Sequence, residues 1–275
     1  MYAYTTNCIE TCIPVKYQIS KKMWSHIEKV LEKIEYSSKM GRPGINAKRA
    51  LNGIYFVLKT GIQWNALPHC FGSYSAVHRS FQKFEALGFF KEIWEFELSI
   101  YAENNKDALA IQAGDCIHVP APLGQESTGS SPVNRAKLGS KRSVITDRNG
   151  VVIAHSLASG NTHDSQIFLE TILSMPKFIR ELFDWAKMHL DAAYDSNDIQ
   201  TILFNLRYLP RINKNRRRNK LAQPAQVAQR YFVEASHSWA NRFKRLLIRF
   251  EKKAKLHVAF MNFAFAAITF SKMRL

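Results

Sequence analysis

Cysteine is scarce in this chain of 275 residues. Its four cysteines, Cys8, Cys12, Cys70 and Cys116, match neither a zinc-site spacing nor a compact disulfide framework. Free thiols in a reducing compartment are the expected state. A signal-peptide pattern is missing too: MYAYTTNCIETCIPVKYQIS does not run basic then apolar. So are long apolar runs and internal repeats. The most apolar stretch, Ala259 to Phe270, falls short of the roughly 20 residues that cross a bilayer and is expected to be a buried core helix, with no membrane partner. Acidic residues are the most telling shortage. There are 22 Asp and Glu against 39 Lys and Arg, for a net charge of +17 and a pI near 9.8. From Ile199 to Leu275, 17 basic residues face only two acids, Glu234 and Glu251. Charge spread evenly would serve solubility; charge gathered into one segment points to a polyanion partner.

The first hundred residues carry helical periodicity. Met23, Trp24, Ile27, Val30, Leu31 and Ile34 recur at the spacing of one helix face over Lys21 to Ile34. A break at MGRPG precedes a second helix from Asn46 to Leu58. Gly61 ends that helix, Trp64 to Leu67 form a short one, and Ser75 is the expected N-cap of a third, reaching about Leu87. This order, with His78, Arg79, Gln82 and Lys83 on the last helix, is a helix-turn-helix pattern; a small helical bundle gives the same signal. Arg42, in the extended tripeptide Gly41-Arg42-Pro43, suits a narrow minor groove, and a plain basic linker fits it equally.

Past Lys106 the pattern changes to period two. Ile111, Ala113, Asp115, Ile117 and Val119 share one parity of a strand. After a Gly/Ser/Pro-rich loop, Gly124 to Pro132, two apolar runs flank Arg148-Asn149-Gly150 and predict a hairpin. Alternating helices and short strands follow: helix Asp164 to Met175, strand Met188 to Ala193, helix Asp195 to Leu206 and strand Leu209 to Ile212. The reading is an α/β chain with a mixed sheet and two domains, residues 1–105 helical and 106–275 catalytic.

Three acids stand out. Asp115 lies on an apolar strand face, where a carboxylate must be paired, hydrogen-bonded or metal-bound; an edge strand facing water is the alternative. Asp191 sits at the carboxyl end of a short strand, where ligands bind in open α/β sheets. Asp164 and Asp195 are better read as helix N-caps, and Asp191 has no such role. Glu234 is the lone acid of YFVEASHSWANRFKRLLIRF. At 100° per residue, Arg230, Glu234, Asn241 and Arg245 fall along one line of a helix whose other side is aromatic. Three separated carboxylates amid basic residues suit Mg²⁺ or Mn²⁺, with substrate phosphate completing the shell, while the cations hold a nucleic-acid backbone.

The segments GDCIHVPAPLGQESTGSSPVNRAKLGSKRSVITDRNG, SGNTHDS, LDAAYDS and RYFVEASHSWANRFKRLLIRFEKKAKLHVAFMNFAFA resemble the DDE transposases of bacterial insertion sequences, specifically the insertion-sequence-five family. The segment from Gly41 to Gly88 resembles that family's helix-turn-helix region. The resemblance implies a ribonuclease-H-like mixed-sheet core preceded by an all-α helix-turn-helix domain. It implies a catalytic, metal-holding triad of Asp115, Asp191 and Glu234, with two Mg²⁺ or Mn²⁺ ions. Double-stranded DNA, both terminal inverted repeats and target, is the implied partner, bound by a homo-oligomer in the bacterial cytoplasm at the nucleoid. The expected DNA-binding residues are Arg42, His78, Arg79, Lys83, Lys141, Arg142, Arg230, Arg242 and Arg245. Ala193 stands where the family pattern has a glycine, and two further positions depart from it: Ala235 replaces an arginine, and His237 an aromatic residue. They motivate an alternative, a catalytically inactive DNA-binding repressor derived from a transposase; a general nuclease on a related fold is a third reading.

Overall fold

In a computed structural model, the structure describes residues 12–34, 44–131, 135–213 and 229–273. Four helices open the chain. Helix α1, Lys21–Lys33, starts where the Ser20 side chain accepts from the Met23 N–H, and it buries Met23, Trp24, Ile27 and Val30. Helix α2, Ala47–Thr60, is capped by Asn46, which accepts from the Lys48 and Arg49 N–H groups. It stops at Gly61, whose left-handed φ of 72° lets its N–H close onto the Val57 carbonyl. Two 3-10 turns, Trp64–Ala66 and His69–Phe71, lead to α3, Tyr74–Ala86. Its N-cap is Ser73, not the expected Ser75, because the Ser73 hydroxyl meets the free Ala76 N–H. The connection from α2 to α3 is thus longer than the three- or four-residue turn of a simple helix-turn-helix. Helix α4, Phe89–Asn104, follows.

The sheet comes next: β1 (Ile111–Pro120), β2 (Gly129–Ser130), β3 (Leu138–Asp147), β4 (Val152–Ser159), β5 (Ala186–Leu190) and β6 (Tyr208–Ile212). β3 pairs antiparallel with both β1 and β4, and β1, β5 and β6 continue in parallel. Across the sheet the order is β4-β3-β1-β5-β6, with the short β2 also on β3. An antiparallel meander extended by two parallel strands is the ribonuclease-H-like arrangement. The Arg148-Asn149-Gly150 turn closes the β3–β4 hairpin as expected, with Gly150 at φ 76°. A Cβ there would meet the Phe232 carbonyl and the Trp239 ring at 2.9 Å, so the turn is packed under a later helix.

Between the strands lie α5 (Asp164–Leu173) and α6 (Asn197–Asn205), and after them α7 (Tyr231–Asn241) and α8 (Ala254–Lys272). Side chains alternate faces along a strand, and β3 shows which helix covers which face. The Ser143 hydroxyl accepts from Thr171 of α5, while its neighbour Arg142 reaches His237 and Asn241 of α7. Helices α5 and α7 therefore cover opposite faces. Asp115 pairs with Val144, two positions from Arg142, so it shares the α7 face.

Helix α8 is the core helix expected from Ala259–Phe270, longer at both ends. It meets the length and apolarity of a membrane span, yet it is packed inside the protein. Its Phe260 stacks on Phe81 of α3 at 4.4 Å, and its Phe263 meets Tyr55 of α2 and Phe90 of α4. One apolar cluster thereby joins the opening helices to the sheet.

Glu97 of α4 is fully buried, its carboxyl 3.0 Å from His26 Nδ1 on α1. Burial pushes Glu97 up to about 8 and His26 down, so both favour their neutral forms and the proton stays on the carboxyl. The folded chain then binds a proton that the unfolded chain releases above its ordinary value of 4.5. Stability is complete below that value and is lost as pH rises through about 8. Between pH 7 and 8, above the range of His26, the loss should approach 1.4 kcal/mol per pH unit, or roughly 3 °C of melting temperature. Thermal melts of Glu97→Gln should lack this slope; an equal slope in the variant would refute the assignment.

Candidate active site

Two aspartates meet where the neighbouring parallel strands β1 and β5 part, Asp115 in the middle of β1 and Asp191 just past the end of β5. Ile111 pairs with Lys187 and Ala113 with His189; the same offset of 76 residues carries Asp115 onto Asp191. Pairing ends at Ala113, so the strands part where the two carboxylates stand. Asp191 follows β5 and caps the 3-10 turn Ala192–Tyr194, its Oδ1 accepting from the Ala193 N–H at 2.6 Å. It therefore has the capping job that its sequence position did not suggest, and its Oδ2 accepts from Arg230.

Arg230, just before α7, bridges the pair. Its guanidinium lies 3.1 Å from Asp115 Oδ1 and 3.1 Å from Asp191 Oδ2. Burial pushes the Asp115 carboxyl above its ordinary range, and the Arg230 charge pulls part of that back. A second layer stands behind Asp115. Arg142 is wholly buried, and its guanidinium donates to Asn241 Oδ1 at 3.0 Å and to His237 Nδ1 at 3.5 Å. A guanidinium only donates, so Nδ1 must accept and the His237 proton sits on Nε2. That atom has no hydrogen-bond partner and lies 3.8 Å from Asp115 Oδ2. Burial, with the charges of Arg142 and Arg230, holds His237 down at about 3, which keeps it neutral.

Residues 114–269 match the sequence profile of the "Transposase DDE domain" family. The chain belongs to the DDE transposase family. Its residues 19–94 match the profile of the "Putative transposase of IS4/5 family". The "Putative transposase for insertion sequence element IS402" of Burkholderia cepacia is 32% identical over 156 residues, covering 55% of this chain and 72% of that protein. A second Burkholderia cepacia protein, the "Insertion element IS402 uncharacterized 16.2 kDa protein", is 30% identical over 132 residues, 42% of this chain and 90% of that one. Among solved structures, the Mos1 strand transfer complex overlays 95% of this chain and 90% of that one at 13% identity and a TM-score of 0.31, too loosely to place side chains.

In this DDE transposase the third acid, Glu234, is exposed on α7, one turn after Arg230; its N–H donates to the Arg230 carbonyl. Among the described residues its side chain forms no ion pair or hydrogen bond with either aspartate, and no three His, Cys, Asp or Glu side chains converge as a metal cluster. Two carboxylates sharing one cation are nonetheless the oxygen donor set that a hard divalent ion takes. DDE transposases use divalent metal ions and act on DNA. Asp115 and Asp191 fit that chemistry as they stand.

The other expected residues divide by burial. Arg42 lies outside the described residues. Arg79 and Lys83 are exposed on α3, but His78 is half-buried with its ring against Trp64 at 4.8 Å. Lys141 is tied to Asp164 at 2.6 Å, so Asp164 forms an ion pair and His163 is the actual N-cap of α5. Asp195 likewise is not a cap; Ser196 caps α6. Arg242 is exposed. Arg142 and Arg245 are corrections. Arg142 is enclosed between β3 and α7, and Arg245 is buried on Glu251 at 2.6 Å. Neither presents its charge to a duplex. The expected single helix from Tyr231 to Phe250 also breaks, with α7 ending at Asn241 and Phe243 extended before a separate turn, Lys244–Leu247. That break is what sends Arg245 inward. His237 and Arg142 form a support that sequence reading did not connect; the available signal was the register of β3 against β1.

Proposed function

We propose that this transposase cuts DNA at the terminal inverted repeats of its own insertion sequence and joins the freed 3′ ends to target DNA. The observation that carries this reading is the in-register meeting of Asp115 and Asp191 on Arg230, with Glu234 one turn further along the same helix. Asp115, Asp191 and Glu234 would hold the metal. When bound, Mg²⁺ or Mn²⁺, in a two-ion arrangement, supplies Lewis-acid polarisation of the scissile phosphodiester and activation of the attacking water or hydroxyl. Arg230 keeps the two aspartates together against their mutual repulsion, and the Arg142–His237 layer fixes the orientation of Asp115. Exposed Arg79, Lys83 and Arg242 contact the DNA backbone, a salt-sensitive attraction.

On the same reading, residues 1–105 recognise DNA as a helix-turn-helix unit and residues 106–275 form the catalytic domain. The protein assembles as a homo-oligomer on its ends, in the cytoplasm at the nucleoid. A second reading, DNA binding without cleavage, is favoured because Glu234 joins no metal-type cluster with the aspartate pair among the described residues. Cleavage of terminal-repeat duplexes and scrambled duplexes, with Mg²⁺ and with chelator, separates the readings. Metal-dependent cutting confined to the repeats supports the transposase reaction. Cutting of both duplexes indicates a general nuclease, and binding without cutting in any metal indicates a repressor.

A further inference from the structure

A groove of about 420 Å³ opens where α2, α7 and α8 end, beside the helix that carries Glu234. Three cations line it: Lys59 near the end of α2, Arg242 just past α7 and Lys272 at the end of α8. No acid lines it, and none of the three forms an ion pair within the described residues. Two are braced on aromatic rings instead. Lys59 Nζ lies 3.8 Å from the centre of the Phe243 ring, and Lys272 Nζ lies 3.6 Å from that of Trp239.

Basic residues at helix ends are favoured by the helix dipole alone. That effect explains one cation per helix on its own terminus. It does not explain three termini brought to one groove, where burial, and after it repulsion from Arg242, lowers the Lys59 pKa. Asp147, the acid felt by Lys272, is itself buried against Tyr101 and raised to about 6. Cations gathered against their own repulsion, and held by ring faces rather than carboxylates, leave their anion to come from outside.

We propose that this groove seats the phosphodiester backbone of transposon-end DNA as it leaves the catalytic acids, an inference that rests on the transposase reading above. Eight residues separate Glu234 from Arg242, about 12 Å of helix at 1.5 Å per residue. That length matches three to four base steps at 3.4 Å each along one strand. A duplex whose scissile phosphate lies beside Glu234 thus comes level with the groove within half a helical turn. Three cations carried on three separate helix ends suit the successive phosphates of a continuous backbone better than a single small anion.

The test is equilibrium binding of a labelled terminal-repeat duplex in chelator, across a salt series, so that cleavage plays no part. Lys59→Met and Lys272→Met keep the side-chain stems on their rings and remove only the charge. Each should weaken binding about three- to tenfold and reduce the slope of log K against log salt by about 1. Lys272→Arg should restore both, and melting temperatures should stay within a few degrees of wild type. Because Arg242 is exposed, Arg242→Gln gives the same readout without risk to folding. Wild-type affinity and slope in all three charge-removing variants would overturn the groove while leaving the transposase reading intact. A wild-type chain that binds no duplex would overturn both.

Discussion

Asp115→Asn is expected to leave terminal-repeat binding unchanged and to lower metal-dependent strand cleavage by at least about a thousandfold, equivalent to about 4 kcal/mol of barrier. The amide has the shape of the carboxyl but cannot supply an anionic oxygen to a hard cation. Folding should not confound the result. Burial already disfavours the charged form of Asp115, so a neutral replacement loses little beyond its contact with Arg230, which keeps Asp191. Asp195→Asn is the matched control. Asp195 stands past the 3-10 turn that Asp191 caps and accepts from Gln200 Nε2, so cleavage by the Asp195→Asn variant should stay within about twofold of wild type. Single-turnover cleavage with a parallel mobility-shift titration measures both quantities. Cleavage by Asp115→Asn within tenfold of wild type would remove this residue from the active site.

The parts of the fold readable in sequence are those set by local periodicity. Lys21 to Ile34 shows its buried face at helical spacing, and Ile111 to Pro120 reads as a strand with the boundaries that it has in the structure. Asn149-Gly150 marks its hairpin because few residues besides glycine take the φ that the turn needs. Cap positions slipped by one or two residues at Ser73, His163 and Ser196. In each case neighbouring polar side chains compete for the same free N–H groups, and pattern alone does not choose between them. The aspartate pair was legible because Asp115 lies on an apolar strand face, where a carboxylate needs a partner, and Asp191 lies at the carboxyl end of a strand that pairs in parallel with it. The fates of the arginines were not legible. Arg142 and Arg245 look like any other basic residue in a basic segment, and only partners far along the chain, such as His237 and Ile62, reveal that they are buried. A helical wheel drawn across Tyr231 to Phe250 also assumed continuity that ends at Phe243.

Glu251→Gln should destabilise the protein by about 3–5 kcal/mol, the usual cost of removing one partner from a buried ion pair, and lower the melting temperature by roughly 10 °C. Glu251 is buried with Arg245 Nε at 2.6 Å from one oxygen and His257 Nδ1 at 3.4 Å from the other. Arg245 also donates to the Gly61 and Ile62 carbonyls just past α2, so the group ties the C-terminal segment to the opening helices. Burial raises the Glu251 pKa, but the His257 hydrogen bond and the Arg245 charge outweigh it and hold the carboxyl below its ordinary range. A depressed folded value gives stability that is present above the unfolded value of 4.5 and is lost as pH falls through the folded one. The penalty of Glu251→Gln should therefore be largest near neutral pH and shrink in acid. Replacing both charges, Arg245→Met with Glu251→Leu, should recover most of the loss, since well-packed apolar groups substitute for a buried pair at little cost. Urea unfolding of the three chains at two pH values measures the effect, and a penalty below about 1 kcal/mol at neutral pH would contradict it. In the same variants the salt slope of DNA binding should not move, because a guanidinium enclosed on Glu251 releases no counterion when DNA arrives.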